Sequence, residues 1–268
     1  MLEDAQYDDI EVHRLLVTGV ALTGTLEPLG FWPADPERLP KITPKMLWAG
    51  AKEAQREVLL AAETSDIELE KALWKLTLEE VEGGTLVGPF SPTEIAKQVG
   101  PLWVPAKRFP VVQNQKIRPI DDSSQYGINS AFGSGMRVSM KGVDTVVATS
   151  RAHLESVADD RCFTLTDSSG DCWSGTLHAD WSLDEWRTLV GRVADLKSAY
   201  KQLAAHPAHA ATSIIAVKEP GGGIALFRAL SLMFGTTAAV YGFLRFSRAI
   251  HFLAAKLLGV AVVEFFDD

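Results

Sequence analysis

The sequence predicts an α+β fold, with a mostly helical segment over residues 1–100 and a strand-rich remainder over 101–268. Three observations carry this. Apolar residues recur at helical spacing between Pro44 and Val81, bounded by capping signals. From about Val104 the chain changes to short β-type runs separated by turn residues. Beyond residue 186 the predicted order is strand, helix, strand, strand, helix, strand.

The elements follow in order. Residues 1–43 mix short apolar runs with Pro28, Gly30, Pro33, Pro36 and Pro40, which reads as an irregular extension. Thr43-Pro44 is a helix cap with proline at the first helical position. The helical pattern places Leu59, Leu60, Leu69, Leu73, Leu76 and Val81 on inner faces, with a second helix opening near Asp66 after a Thr64-Ser65 cap. Gly83-Gly84 stops it. Ser91-Pro92-Thr93-Glu94 starts another helix with a capping box. Residues 108–112 and 116–120 form a predicted hairpin across Gln113-Asn114-Gln115, 121–135 a loop, and 142–157 a short helix. Residues 189–196 read as a buried strand, followed by a helix through Ala205. Residues 213–217 and 224–230 make a strand pair, 237–258 a long amphipathic helix ended by Gly259, and 260–266 a last strand. This βαββαβ order is that of a ferredoxin-like unit, in which the first and last strands can lie side by side.

Composition narrows the function classes. A chain of 268 residues, 47% hydrophobic and 22% charged, has an ordinary globular balance and length enough for a sizeable core. Two cysteines exclude a disulfide-stapled scaffold and a four-cysteine zinc site. The acidic start has no basic region followed by an apolar one, so a cytosolic or nuclear protein with no membrane partner is expected. The formal charge of −8 argues at first against nucleic acid. Its distribution argues otherwise. Residues 1–100 hold 9 basic and 18 acidic residues, whereas 101–150 hold 6 and 3. Between Pro220 and Val263 there is no acid, while Arg228, Arg245, Arg248 and Lys256 are present.

The ferredoxin-like order gives the carboxylates a chemical meaning. Asp195 would end the first strand, and Asp267 and Asp268 the last. Carboxylates about 4 Å apart repel by roughly 4 kcal/mol at an effective dielectric near 20, a cost that bound cations offset. Hard divalent ions, Mg²⁺ or Mn²⁺, suit oxygen ligands, and a pair of them suits phosphoryl displacement. His206 and His209 stand three apart without a third ligand, and the loop from Asp167 to Cys172 lacks the length and terminal Glu of a calcium loop, so neither is read as a metal site.

The residues around these aspartates carry a resemblance. Val193-Ala194-Asp195-Leu196-Lys197-Ser198-Ala199-Tyr200 resembles the first palm motif of reverse transcriptases. Leu232-Met233-Phe234-Gly235-Thr236-Thr237 is similar to their second, and Phe265-Phe266-Asp267-Asp268 to their Tyr-x-Asp-Asp box. Lys116-Ile117-Arg118-Pro119-Ile120-Asp121-Asp122, followed by Asn129, is similar to the fingers hairpin upstream of these. The ordered set covers about residues 104–268 and resembles the retrotransposon type.

The resemblance implies a polymerase right hand, with fingers over about 101–185, an incomplete palm over about 186–268, and no thumb. It implies template-directed nucleotidyl transfer from a dNTP on an RNA or DNA template with primer. Asp195, Asp267 and Asp268 would hold two Mg²⁺ or Mn²⁺ ions, with the backbone carbonyl of Leu196 as a further ligand. Lys116 and Arg118 would contact the triphosphate. Tyr200 would lie under the sugar and exclude a 2′-hydroxyl, with Gln202 nearby. Phe234 and Gly235 would line the pocket, and Arg245 and Arg248 would face template phosphates. Phe265 stands where the family usually has tyrosine, and Met233 where it often has proline. Two other readings stay open: a non-catalytic nucleic-acid-binding remnant, and another palm enzyme such as an RNA-dependent RNA polymerase.

Overall fold

The computed structural model describes all residues except 1, 61–65, 140, 167–168, 192, 194–195, 260–261 and 264–268. The fold is α+β with a mixed sheet. In chain order the elements are α1 (Leu15–Thr18), β1 (Gly24–Thr25), α2 (Pro44–Leu60), α3 (Ile67–Glu82), β2 (Leu86–Phe90), α4 (Pro92–Val99), β3 (Pro105–Gln113), β4 (Lys116–Asp122), β5 (Phe132–Gly133), α5 (Val143–Glu155), β6 (Cys162–Thr166), β7 (Cys172–Thr176), α6 (Leu183–Arg187), β8 (Ile214–Lys218), β9 (Ile224–Ala229) and α7 (Thr237–Leu258). The chain divides into two compact units, Met1–Val138 with Lys197–Ile250, and Ser139–Leu196 with His251–Asp268.

The first unit is built on a five-stranded sheet in the order β2-β9-β8-β3-β4, antiparallel except for the parallel pair β3–β8. Alternation sends neighbouring residues of β9 to opposite faces. Leu226 packs with Ile214 and Ala216 against Val58 of α2, Ile95 of α4 and Trp103. Phe227 meets Trp74 of α3 edge-on at 5.6 Å. Helices α2 and α4 therefore cover one face and α3 the other.

Local signals formed the expected elements. Pro44 opens α2, with the Thr43 hydroxyl accepting from the Met46 N–H. Ser91 and Glu94 make a reciprocal capping box on α4. The cap of α3 is Asp66, whose carboxylate accepts from the N–H groups of Glu68 and Leu69. Thr64 and Ser65, where the sequence suggested a cap, lie outside the described residues. The β3–β4 turn is two residues, Asn114 and Gln115, both at positive φ, as a tight right-twisted hairpin requires.

The ferredoxin-like order is not what the described residues form. The strand pair β8–β9 does not start a separate palm sheet; it joins the hairpin through β3–β8 and the β2 edge through β9. The main-chain bond from Val104 N–H to Ala211 carbonyl leads β8 into place beside β3. Of the predicted strand 189–196, the described residues 189–191, 193 and 196 are in no strand, and Val193 is 96% exposed. An apolar run becomes a strand only with a partner for its backbone groups, and none pairs with it among the described residues. The predicted helix after it is one 3-10 turn, Ala199–Gln202. Of the predicted last strand, Val262 and Val263 are described and are not in a strand; the rest lies outside the described residues.

Residues before α2 also belong to the first unit's core. Tyr241 of α7 lies edge-on to Trp32 at 5.5 Å, packs on Phe132 and donates to the Met136 carbonyl at 2.7 Å. The second unit holds α5, the β6–β7 hairpin and α6. His153 stacks on Trp186 at 4.6 Å, and Arg161 donates to the carbonyls of Leu177, His178 and Trp181. No helix among the described residues is long and apolar enough to cross a membrane.

Candidate functional site

The β3–β4 hairpin has two chemically different faces. Register puts Lys107, Phe109 and Val111 opposite Asp122, Ile120 and Arg118, with Gln113 opposite Lys116. Lys116 and Arg118 are exposed on this face, and neither makes an ion pair with a described residue. On the other face Arg108 lies opposite Asp121, and both side chains are 1% exposed.

That buried pair organises the surroundings. Arg108 donates through Nε and Nη2 to the two carboxylate oxygens of Asp121, at 2.7 and 3.1 Å. Its Nη1 donates to Glu80 of α3 at 3.0 Å and to the Thr77 hydroxyl at 3.3 Å. Burial opposes the guanidinium charge, but the carboxylates of Asp121 and Glu80 outweigh it and hold the pKa above its ordinary value. Glu80 also pairs with Lys201. Burial pushes the Lys201 ammonium below its ordinary pKa, with Glu80 opposing and Arg108 reinforcing the shift.

The loop before α7 docks on the end of β4. The Asp121 N–H donates to the Phe234 carbonyl at 3.1 Å. Gly235 follows at φ +102°, where a Cβ would overlap the Asp121 carbonyl oxygen, so only glycine fits. Asn129 grips both sides of this point: its amide donates to the Gly235 carbonyl at 2.9 Å, and its oxygen accepts from the Thr237 N–H at 2.8 Å. The Asn129 side chain thereby caps α7 from outside the helix.

Tyr200 sits in the turn Ala199–Gln202, entered through Ser198 at φ +53°. Its ring meets Phe234 edge-on at 5.8 Å and Phe243 of α7 at 5.5 Å. Gln202 donates to the Lys197 carbonyl at 2.9 Å. The structure thus joins Tyr200, Phe234 and Gly235 at the Asp121 end of β4. Lys116 stands at the turn end of the same strand, five residues away, or roughly 16 Å.

Other predicted residues fall differently. Arg245 does not face solvent or a template. It is buried in a two-bonded pair with Asp9 at 2.7 and 2.8 Å, because its turn of α7 is covered by the chain's first residues. Arg248 lies 4.4 Å over the Phe31 ring and is half-buried. Leu196 is exposed and belongs to the second unit. Asp195, Asp267 and Asp268 lie outside the described residues; among the described ones no group of three His, Cys, Asp or Glu could hold a metal ion.

Sequence reasoning missed Glu80, Arg108 and Lys201. One signal was available for Arg108: a two-residue turn at Asn114-Gln115 fixes the register that puts it opposite Asp121. No protein-family model, curated protein or solved structure matches the chain.

Proposed function

We propose that the chain is a reverse-transcriptase-like fingers and palm region of a retrotransposon-like element, which transfers a nucleotide from a dNTP to a primer on an RNA or DNA template. The observation that supports this is the meeting of Tyr200 with Phe234, beside Gly235. Two stretches that each resemble a palm motif converge on one spot, with an aromatic ring next to a backbone that can be approached closely. An aromatic surface of this kind can carry a sugar while leaving no room for a 2′-hydroxyl.

In this reading Asp195, Asp267 and Asp268 hold two Mg²⁺ or Mn²⁺ ions, since three carboxylates are the hard oxygen donors these cations take. When bound, such ions stabilise the attacking and leaving oxygens of an in-line phosphoryl displacement. Tyr200 and Phe234 orient the sugar. Of the two exposed hairpin cations Arg118, three residues from Asp121, is the nearer to the triphosphate, while Lys116 stands too far along β4 to reach it from that spot.

The test is incorporation of dTTP or UTP on a primed homopolymer, with Mn²⁺ calorimetry on the wild type and an Asp195→Ala, Asp267→Ala variant. The expected result is dTTP incorporation and a Mn²⁺ heat that the variant loses. Identical heats overturn the metal site. Salt-dependent binding to the primed template without incorporation favours instead a nucleic-acid-binding remnant, which the exposed Lys116 and Arg118 also suit. Preference for UTP favours an RNA polymerase.

A further inference from the structure

The residues around Tyr200 form a closed circuit. Tyr200 packs on Phe234, and the Phe234 carbonyl accepts from the Asp121 N–H. The Asp121 carboxylate holds Arg108 by two bonds, and Arg108 holds Glu80. Glu80 holds Lys201, the residue that follows Tyr200 in the chain. Five separate segments meet in it: α3, β3, β4, the turn Ala199–Gln202 and the loop before α7.

Charge makes Glu80 the sensitive member. With all four ionised, Arg108 and Lys201 balance Asp121 and Glu80. Among the described residues Glu80 is the only carboxylate that forms an ion pair with both cations, and its side chain is 15% exposed. Without its charge, Lys201 loses its ion-pair partner and faces the buried arginine with only the Asp121 carboxylate, itself bound to Arg108, to oppose it. Lys201, at 22% exposed, can turn to water and take its turn with it. Arg108 cannot leave, because Asp121 still binds it twice. The effect should therefore stay in the Tyr200 turn and spare the sheet.

We infer that Glu80, in the N-terminal region, is a positioning residue for the candidate pocket, holding the turn that carries Tyr200 against Phe234. The inference rests on the proposed function only for what the pocket binds. Its coupling is a property of the folded chain.

The experiment uses the full chain with Glu80→Gln and, as a milder break of the same link, Lys201→Gln. Amide hydrogen exchange reads the coupling, and the ratio of dTTP to UTP incorporation reads its consequence. Exchange over residues 199–203 is expected to rise about tenfold in both variants while β8 and β9 exchange as in the wild type. The dTTP preference is expected to fall about tenfold, the scale of a small misplacement of a reacting partner. If the wild type incorporates neither nucleotide but the local exchange still rises, the positioning role stands and the nucleotide reading falls. Unchanged exchange over 199–203, or loosening of β8 and β9 by the same factor, overturns the positioning role. So does an unchanged dTTP preference in a variant that still incorporates.

Discussion

Asp9 and Arg245, 236 residues apart in the chain, form a buried ion pair with two hydrogen bonds of 2.7 and 2.8 Å. A pair of this kind is costly to break from one side, because the surviving charge stays buried without its partner. Asp9→Ala should destabilise the protein by about 3–5 kcal/mol in urea denaturation. Replacing both, with Asp9→Leu and Arg245→Met, should recover most of that loss, since an apolar pair carries no desolvation cost.

The junction of Gly235 with β4 makes a second prediction. Gly235→Ala must both accept a φ of +102° and move the Asp121 carbonyl, so a loss of at least about 2 kcal/mol is expected. Asn129→Ala removes the donor to Gly235 and the acceptor for Thr237, and about 1–3 kcal/mol is expected. Denaturant midpoints measure both, and faster amide exchange at the first turn of α7 should mark the second.

The exposed hairpin cations should behave in the opposite way. Lys116→Ala with Arg118→Ala should change stability by less than about 0.5 kcal/mol, because neither side chain is buried or paired with a described residue. If the hairpin contacts single-stranded nucleic acid, the slope of log affinity against log salt should fall by about 1.4. Fluorescence anisotropy across a salt series reads that slope directly.

His209 sets a pH response. Burial pushes its imidazole below the ordinary 6.5, and the charge of nearby His206 adds to the shift. The unfolded chain therefore takes up this proton at a higher pH than the folded one. The contribution to stability is complete above about pH 6.5 and is lost as the pH falls from there through the lower folded value. Nδ1 of His209 is also 3.1 Å from the Thr23 hydroxyl. His209→Gln should flatten the acid limb of a melting-temperature profile below about pH 6.5.

Sequence legibility followed the range of the interaction. The Ser91–Glu94 box, the start of α2 at Pro44 and the existence of the β3–β4 hairpin were readable because each is decided within a few residues, although the turn is Asn114-Gln115 alone and Gln113, expected in it, pairs with Lys116. The helix α7 was readable from its period, with the exact bounds Thr237–Leu258. Arg245 was misjudged as surface because nothing near it in the chain announces Asp9. The same holds for β8: its apolar run says that it is a strand, but its parallel partner β3 is chosen by the packing of Trp103, Ile95 and Val58 beneath it. The motif resemblance assigned Tyr200 and Phe234 separately to a nucleotide pocket but did not give their contact, and the Glu80 link behind it has no local signature.

Among the described residues strand β2 hydrogen-bonds to β9 and to no other strand, so that partner is synthesised only after the ribosome has added the whole stretch from Phe90 to Ala229. At ordinary elongation speeds that is on the order of ten seconds. Until then the Leu-Val-Gly-Pro-Phe segment is without its strand partner. The proline within it is a residue that other strands pair with poorly. Pro89 would then guard the newborn chain against sticking to its neighbours on the same messenger, a service rendered before the sheet exists.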